Sequence, residues 1–203
     1  MAHPADPHRR ETILRAATEV FIERGFSDAR LTDIAQRASV VTSTLYLYFR
    51  SKEEMVSAIA QENRQILLDR LEPVLAHLRT EEDLAQFVEI VLAHARERRD
   101  EIIIISLESG LSTPRGGRRG ARRGPRIEKG IEIIRHLMAE GALSPSDPEL
   151  VMEMLIMMTF WIISHSLMIT EEEEEPFKHF CVQWLSRALL PARGDTGPEA
   201  ASP

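Results

Sequence analysis

Between Val41 and Lys52 the chain places short hydroxyl side chains, phenols and a lysine in close succession: Thr42, Ser43, Thr44, Tyr46, Tyr48 and Lys52. Short hydroxyls can reach base edges and thymine methyls in a DNA groove, while phenols and ammonium groups hold the phosphate oxygens that fix register. Lys52 falls in the first turn of a following helical pattern, where backbone amides already favour an anion. Arg30, Thr32, Arg37 and Arg50 flank the group as further phosphate contacts. Other chemistries find less support. His77, His94, His136, His165 and His179 are scattered and form no metal-ligand spacing such as His-Glu-x-x-His. No glycine-rich phosphate loop follows a strand, and no nucleophile elbow occurs. The expectation is therefore no catalytic residue, no cofactor and no metal. A helical enzyme using its histidines, and a protein-interaction module that has lost specific DNA binding, are the alternatives.

These side chains need a scaffold. Leu31 to Ala38 reads as a short amphipathic helix, followed by a turn and a second short helix in which Leu45 and Phe49, four apart, face inward. Two short helices joined by a tight turn form the arrangement that sets the second in a DNA major groove. Upstream, Ile13, Ala16, Ala17, Val20 and Phe21 trace one buried helical face, with Gly25 as a left-handed stop and Phe26 as its apolar contact. Downstream, Ser51 and Glu54 form a capping box ahead of a long helix through Leu75, which Pro73 kinks or divides.

The remainder is also helical in pattern. Thr80 and the acidic residues after it open a helix with an apolar face through Leu84, Phe87, Val88, Val91 and Leu92. Ile102 to Ile105 has strand-like composition, but no second strand-like run exists to pair with it, so Glu101 to Leu111 is read as helix. Residues 113–124 form a Gly/Arg loop whose Arg115, Arg118, Arg119, Arg122 and Arg123 are read as solvated. Pro125 starts a helix ending near Gly141. Asp147-Pro148 opens one that is apolar on nearly every side to about Ile169. Its own chain can cover one face; the other is expected to meet a second subunit. After the acidic run Glu171 to Glu175, a last helix from about Pro176 presents Phe177, Phe180, Cys181, Trp184, Leu185 and Leu189. The class is all-α, with about nine helices.

Composition sets wide bounds. The 203 residues are 43% hydrophobic and 28% charged, with one cysteine, which suits a reducing cytoplasm. A net charge of −7 argues against coating nucleic acid nonspecifically, but a specific reader needs basic groups on one face only. No basic and apolar leader opens the sequence. The apolar stretch Met154 to Ile169 is shorter than the roughly 18–20 residues of a bilayer span, so a buried helix and no membrane are expected. Residues 1–8 and 191–203 read as disordered.

Residues 9–59 resemble the DNA-binding domain of TetR-type transcriptional repressors. The resemblance rests on Ala38, Val40, Leu45, Tyr46, Tyr48, Phe49, Ser51, Lys52 and Glu53, with Gly25-Phe26 and Asp33-Ile34-Ala35 upstream at the family's spacing. This chain departs from the pattern at Ser39, where glycine is usual in the turn. It departs again at Arg30, in place of a threonine cap that Ser27 or Asp28 could replace, and at Val41, where serine is frequent. The resemblance implies a helix-turn-helix domain over 9–51 and a ligand-binding and dimerisation domain over 52–190. It implies a homodimer through helices 148–169 and 176–189 that reads two half-sites of a double-stranded, pseudo-palindromic operator. Release would follow from a small lipophilic effector. The candidate pocket is Phe87, Val91, His94, Ile103, Leu107, Met154, Met158, Trp161 and His165.

Overall fold

The computed structural model describes residues 6–109 and 125–192, apart from the side chains of 107–109. The expected Gly/Arg loop, residues 1–5 of the leader and residues 193–203 of the tail lie outside the described residues. Among the described residues there are nine helices and no strand. They are α1 (Pro7–Asp28), α2 (Leu31–Arg37), α3 (Thr42–Tyr48), α4 (Lys52–Ala76), α5 (Glu81–Glu97), α6 (Arg99–Ser109), α7 (Pro125–Ala139), α8 (Pro148–Ser166) and α9 (Glu171–Leu189). The isoleucine run is helical, as expected: it lies within α6, where Ile102 and Ile104 are both buried.

The chain divides into two compact units, Met1–Leu67 with Ala95–Gly116, and Leu68–His94 with Gly117–Pro203. A single cut after residue 51 does not describe this. The reason is Ile104 of α6, which packs into the core of the first unit with Ile13, Val20 and Phe21 of α1 and Ile34, Leu45, Phe49, Met55 and Ile59.

Helix α1 starts earlier than the expected leader allows. Asp6 is its N-cap and accepts from the His8 N–H at 3.0 Å, and Pro7 fits the first turn because its missing N–H has no helical partner there. Gly25 interrupts the helix at φ 76°, ψ 159°, and the Ala29 N–H returns to its carbonyl at 3.2 Å. This is a kink in a region that side chains with a Cβ essentially avoid, beyond the left-handed stop expected from sequence. A Cβ on Gly25 would meet no atom within 4 Å, so the obstacle is the backbone itself. Gly25→Ala is expected to lower stability by about 1–3 kcal/mol. Urea denaturation reads this directly, and an unchanged midpoint would contradict it.

In the second unit α7 packs on α8. Contact is close at Gly130, where an added Cβ would lie 2.2 Å from Met152 Cε. Arg126 pairs with Asp69 at 2.6 Å and Arg79 with Glu140 at 2.7 Å, and Lys129 also pairs with Glu72. Pro73 sits in the last turn of α4 without dividing it. Helix α9 begins at Glu171 rather than Pro176, so the acidic run forms its first turn. The Thr170 N–H and hydroxyl donate to the Glu173 carboxylate at 2.9 and 3.0 Å, which fixes that start and holds the carboxyl below its ordinary range.

Helix α8 departs from the expected buried helix. Its 19 residues are long and apolar enough to cross a membrane by length and composition, yet only 22% of its most apolar window is buried. Val151, Met152, Leu155 and Ile162 are covered, while Leu150, Met157 and Trp161 face outward at 50%, 45% and 40% exposure. On α9, Phe180 and Trp184 are similarly bare.

Candidate nucleic-acid interface

Helices α2 and α3 pack together in the first unit around a turn closed by backbone bonds. The Ala38 N–H donates to Ile34 O and the Val40 N–H to Ala35 O, both at 2.9 Å. Ser39 adopts φ 54°, the left-handed conformation that accounts for glycine being usual here. The turn therefore keeps the shape at some cost to the serine. Arg30 itself is the N-cap of α2; neither Ser27 nor Asp28 takes the role. Its guanidinium has no acceptor, so only half of a capping box forms: the Arg30 N–H donates to Asp33 Oδ2 at 3.3 Å. Arg24 holds the same carboxylate at 2.7 Å.

Helix α3 is anchored by Leu45, fully buried, and by Phe49 just past its end. Ser43, Tyr46 and Leu47 are exposed, and Thr42 and Thr44 are half-buried. Arg30, Thr32 and Arg50 have exposed side chains nearby in sequence. The other expected phosphate contacts are tied into the fold. Lys52 Nζ donates to the carbonyls of Phe26 and Ser27 at 2.6 and 3.0 Å and lies 4.7 Å from the Phe26 ring centre, closing the end of α1. The Tyr48 hydroxyl accepts from the Asp6 N–H at 3.1 Å. Arg37 bridges Glu19 at 3.0 Å and Glu23 at 2.6 Å, and its hydrogen bond holds the Glu23 carboxyl below the ordinary range. The residues presented outward are thus Ser43, Tyr46, Arg30, Thr32 and Arg50, joined by Leu47, which sequence reasoning missed. The missed signal was available: Leu47 lies two residues beyond inward Leu45, hence on the opposite side of a helix.

The candidate pocket residues fall into separate groups. On α5 of the second unit, Phe87, Val91 and His94 share one buried face, at 3%, 0% and 0% exposure. Ile103 is half-buried in the first unit, and the side chain of Leu107 lies outside the described residues. Met154 and Met158 are half-buried on α8. Trp161 and His165 belong to an outward aromatic cluster instead of an enclosed cavity. Their rings stack at 5.4 Å, and Phe177 lies 4.5 Å from His165 and 5.2 Å from Trp161. A surface cleft of about 270 Å³ in this unit is lined by Glu81, Glu82, Ala85, Glu175, Lys178, His179 and Val182, none of them a candidate. Burial pushes the Cys181 thiol up to about 11, which leaves it without nucleophilic character at neutral pH.

Among the described residues, α2 and α3 form a helix-turn-helix, the arrangement that sets a second helix in a DNA major groove. Residues 13–59 match the family model described as bacterial regulatory proteins, tetR family. It is 34% identical over 105 residues to the HTH-type transcriptional regulator YvdT of Bacillus subtilis, a match covering 50% of this chain and 52% of YvdT. The chain thus spans about half the length of this curated relative. A transcriptional regulator from Streptomyces coelicolor shares the fold at TM-score 0.60 and 21% identity, over 88% of this chain and 96% of that one. The structure of AibR in complex with isovaleryl coenzyme A and operator DNA is similar at TM-score 0.55 and 18% identity, over 87% and 97% of the two chains.

Proposed function

We propose that the chain is a homodimeric, sequence-specific transcriptional regulator of the cytoplasm. In this reading it represses from a pseudo-palindromic operator and leaves it when a small lipophilic effector binds. The observation that carries the reading is α3, held to the core by Leu45 and Phe49 with Ser43, Tyr46 and Leu47 presented outward. Short side chains at the centre of that face suit base contact, and Tyr46 at 54% exposure suits a phosphate.

Dimerisation is supported by the bare apolar side chains of α8 and α9. Leu150, Met157, Trp161, Phe180 and Trp184 are each at least 40% exposed, and aromatic anchors of this kind dominate protein interfaces. A twofold dimer sets its reading helices on half-sites about 34–36 Å apart. The effector reading rests on the apolar α5 face of Phe87 and Val91 with His94 as its polar group, and on the half-buried Met154 and Met158. An effector with an acyl tail, as in the AibR complex, matches that chemistry. Release then requires only that the effector favour the dimer state with poorer half-site spacing.

Thr42→Ala and Tyr46→Phe are expected to weaken operator binding while leaving the dimer intact. Loss of a hydrogen bond to a charged phosphate sets the Tyr46 effect at about 1.5–3 kcal/mol, tenfold or more in affinity. Fluorescence anisotropy with a bound DNA duplex, paired with sedimentation of the free protein, separates the two properties. Normal operator affinity in both variants would place the reading helix elsewhere.

A further inference from the structure

The exposed face of α3 holds a side chain whose chemistry differs from the hydroxyls around it. At about 100° per residue, Ser43 and Leu47 each sit about 200° from Leu45, so both lie close to diametrically opposite the buried anchor. Leu47 is 80% exposed, the most exposed of the large apolar residues on the described surface. A lone surface leucine needs no explanation. This one shares the centre of the reading face with Ser43, next to Tyr46 at 54% exposure, and the helix is entered through Val41 at 66%. Packing in the first unit does not use Leu47, because Leu45 and Tyr48 of α3, with Phe49 just past its end, supply the contacts with that core.

Leucine has no hydrogen-bond donor or acceptor, so it cannot read a base through polar edge groups or hold a phosphate. In a major groove the apolar feature on offer is the thymine 5-methyl group. Leu47 also lies one helical turn beyond Ser43, about 6 Å along the axis, so the two address bases within about two steps of each other. We infer that Leu47 is a specificity-determining residue that reads thymine through its methyl group, beside a polar contact from Ser43. The inference rests on the DNA-reading function proposed above.

The test begins with duplexes enriched by the full-length protein from a random DNA pool. Each conserved thymine in the half-site is then replaced by deoxyuridine, which removes the methyl and keeps the base pair. One position per half-site is expected to weaken wild-type binding about fourfold, the scale of one buried methyl, or about fifteenfold when both half-sites are changed. Leu47→Ala should bind thymine and deoxyuridine duplexes with less than twofold difference, and retain the wild-type melting temperature because the side chain is exposed. A consensus that forms but lacks such a thymine, or a deoxyuridine effect of equal size in Leu47→Ala, would overturn the role of Leu47 and leave the regulator reading in place. Failure to enrich any consensus would overturn both.

Discussion

Phe49→Ala is expected to lower the stability of the protein by about 3–5 kcal/mol and to abolish operator binding. Phe49 is 2% exposed and follows α3 directly, its N–H returning to Leu45 O at 3.0 Å. Its ring lies in the core that joins α1, α2, α3, the start of α4 and Ile104 of α6, and Arg10 covers it at 5.3 Å from the ring centre. Removing the ring leaves a cavity that those helices cannot all close at once. Domains are typically stable by only about 5–15 kcal/mol, so the loss takes much of the margin. Chemical denaturation gives the stability and anisotropy gives the binding. A midpoint shift worth less than about 1 kcal/mol would show that α3 is held by something other than this core.

Trp184→Ala is expected to dissociate the proposed dimer while leaving the protomer folded. The ring is 45% exposed in the single chain, so its loss has little effect on the core. Across a twofold interface each residue acts twice. Tryptophan anchors contribute about 2 kcal/mol or more apiece, which gives roughly a thousandfold weaker association. Phe180, at 55% exposure and one turn earlier on α9, reinforces the same face. Sedimentation equilibrium reads the association constant and circular dichroism the fold. An unchanged association constant would remove α9 from the interface.

Periodicity decided which parts of the fold were legible in the sequence. Leu45 and Phe49 were legible as inward anchors because their spacing allows one buried face, and both are buried. The capping chemistry at Ser51 was legible too, and the Glu54 N–H donates to Ser51 Oγ at 3.2 Å. Charge without geometry was less informative. Lys52, Arg37 and Tyr48 have the right chemistry for phosphate, but carbonyls, carboxylates and a backbone amide of the first unit already engage them. Those partners lie 14–42 residues away in sequence, beyond the reach of any local pattern. The reverse error hid Leu47, since apolar residues in an amphipathic pattern are assigned inward unless the wheel is drawn around the anchor. Trp161 and His165 were expected in a pocket among the long helices; Trp161 is instead 40% exposed and stacks on His165, with Phe177 and Phe180 beside it. The start of α9 was obscured by Pro176, which a helix tolerates near its beginning once Thr170 and Glu173 have fixed the first turn.

Selection of bound fragments from a random DNA pool at moderate salt tests the central claim most directly. A pseudo-palindromic consensus is expected, with half-site centres about 34–36 Å apart along the duplex and at least one dimer per site. Retention of DNA with no sequence enrichment, or a consensus without twofold symmetry, would contradict it.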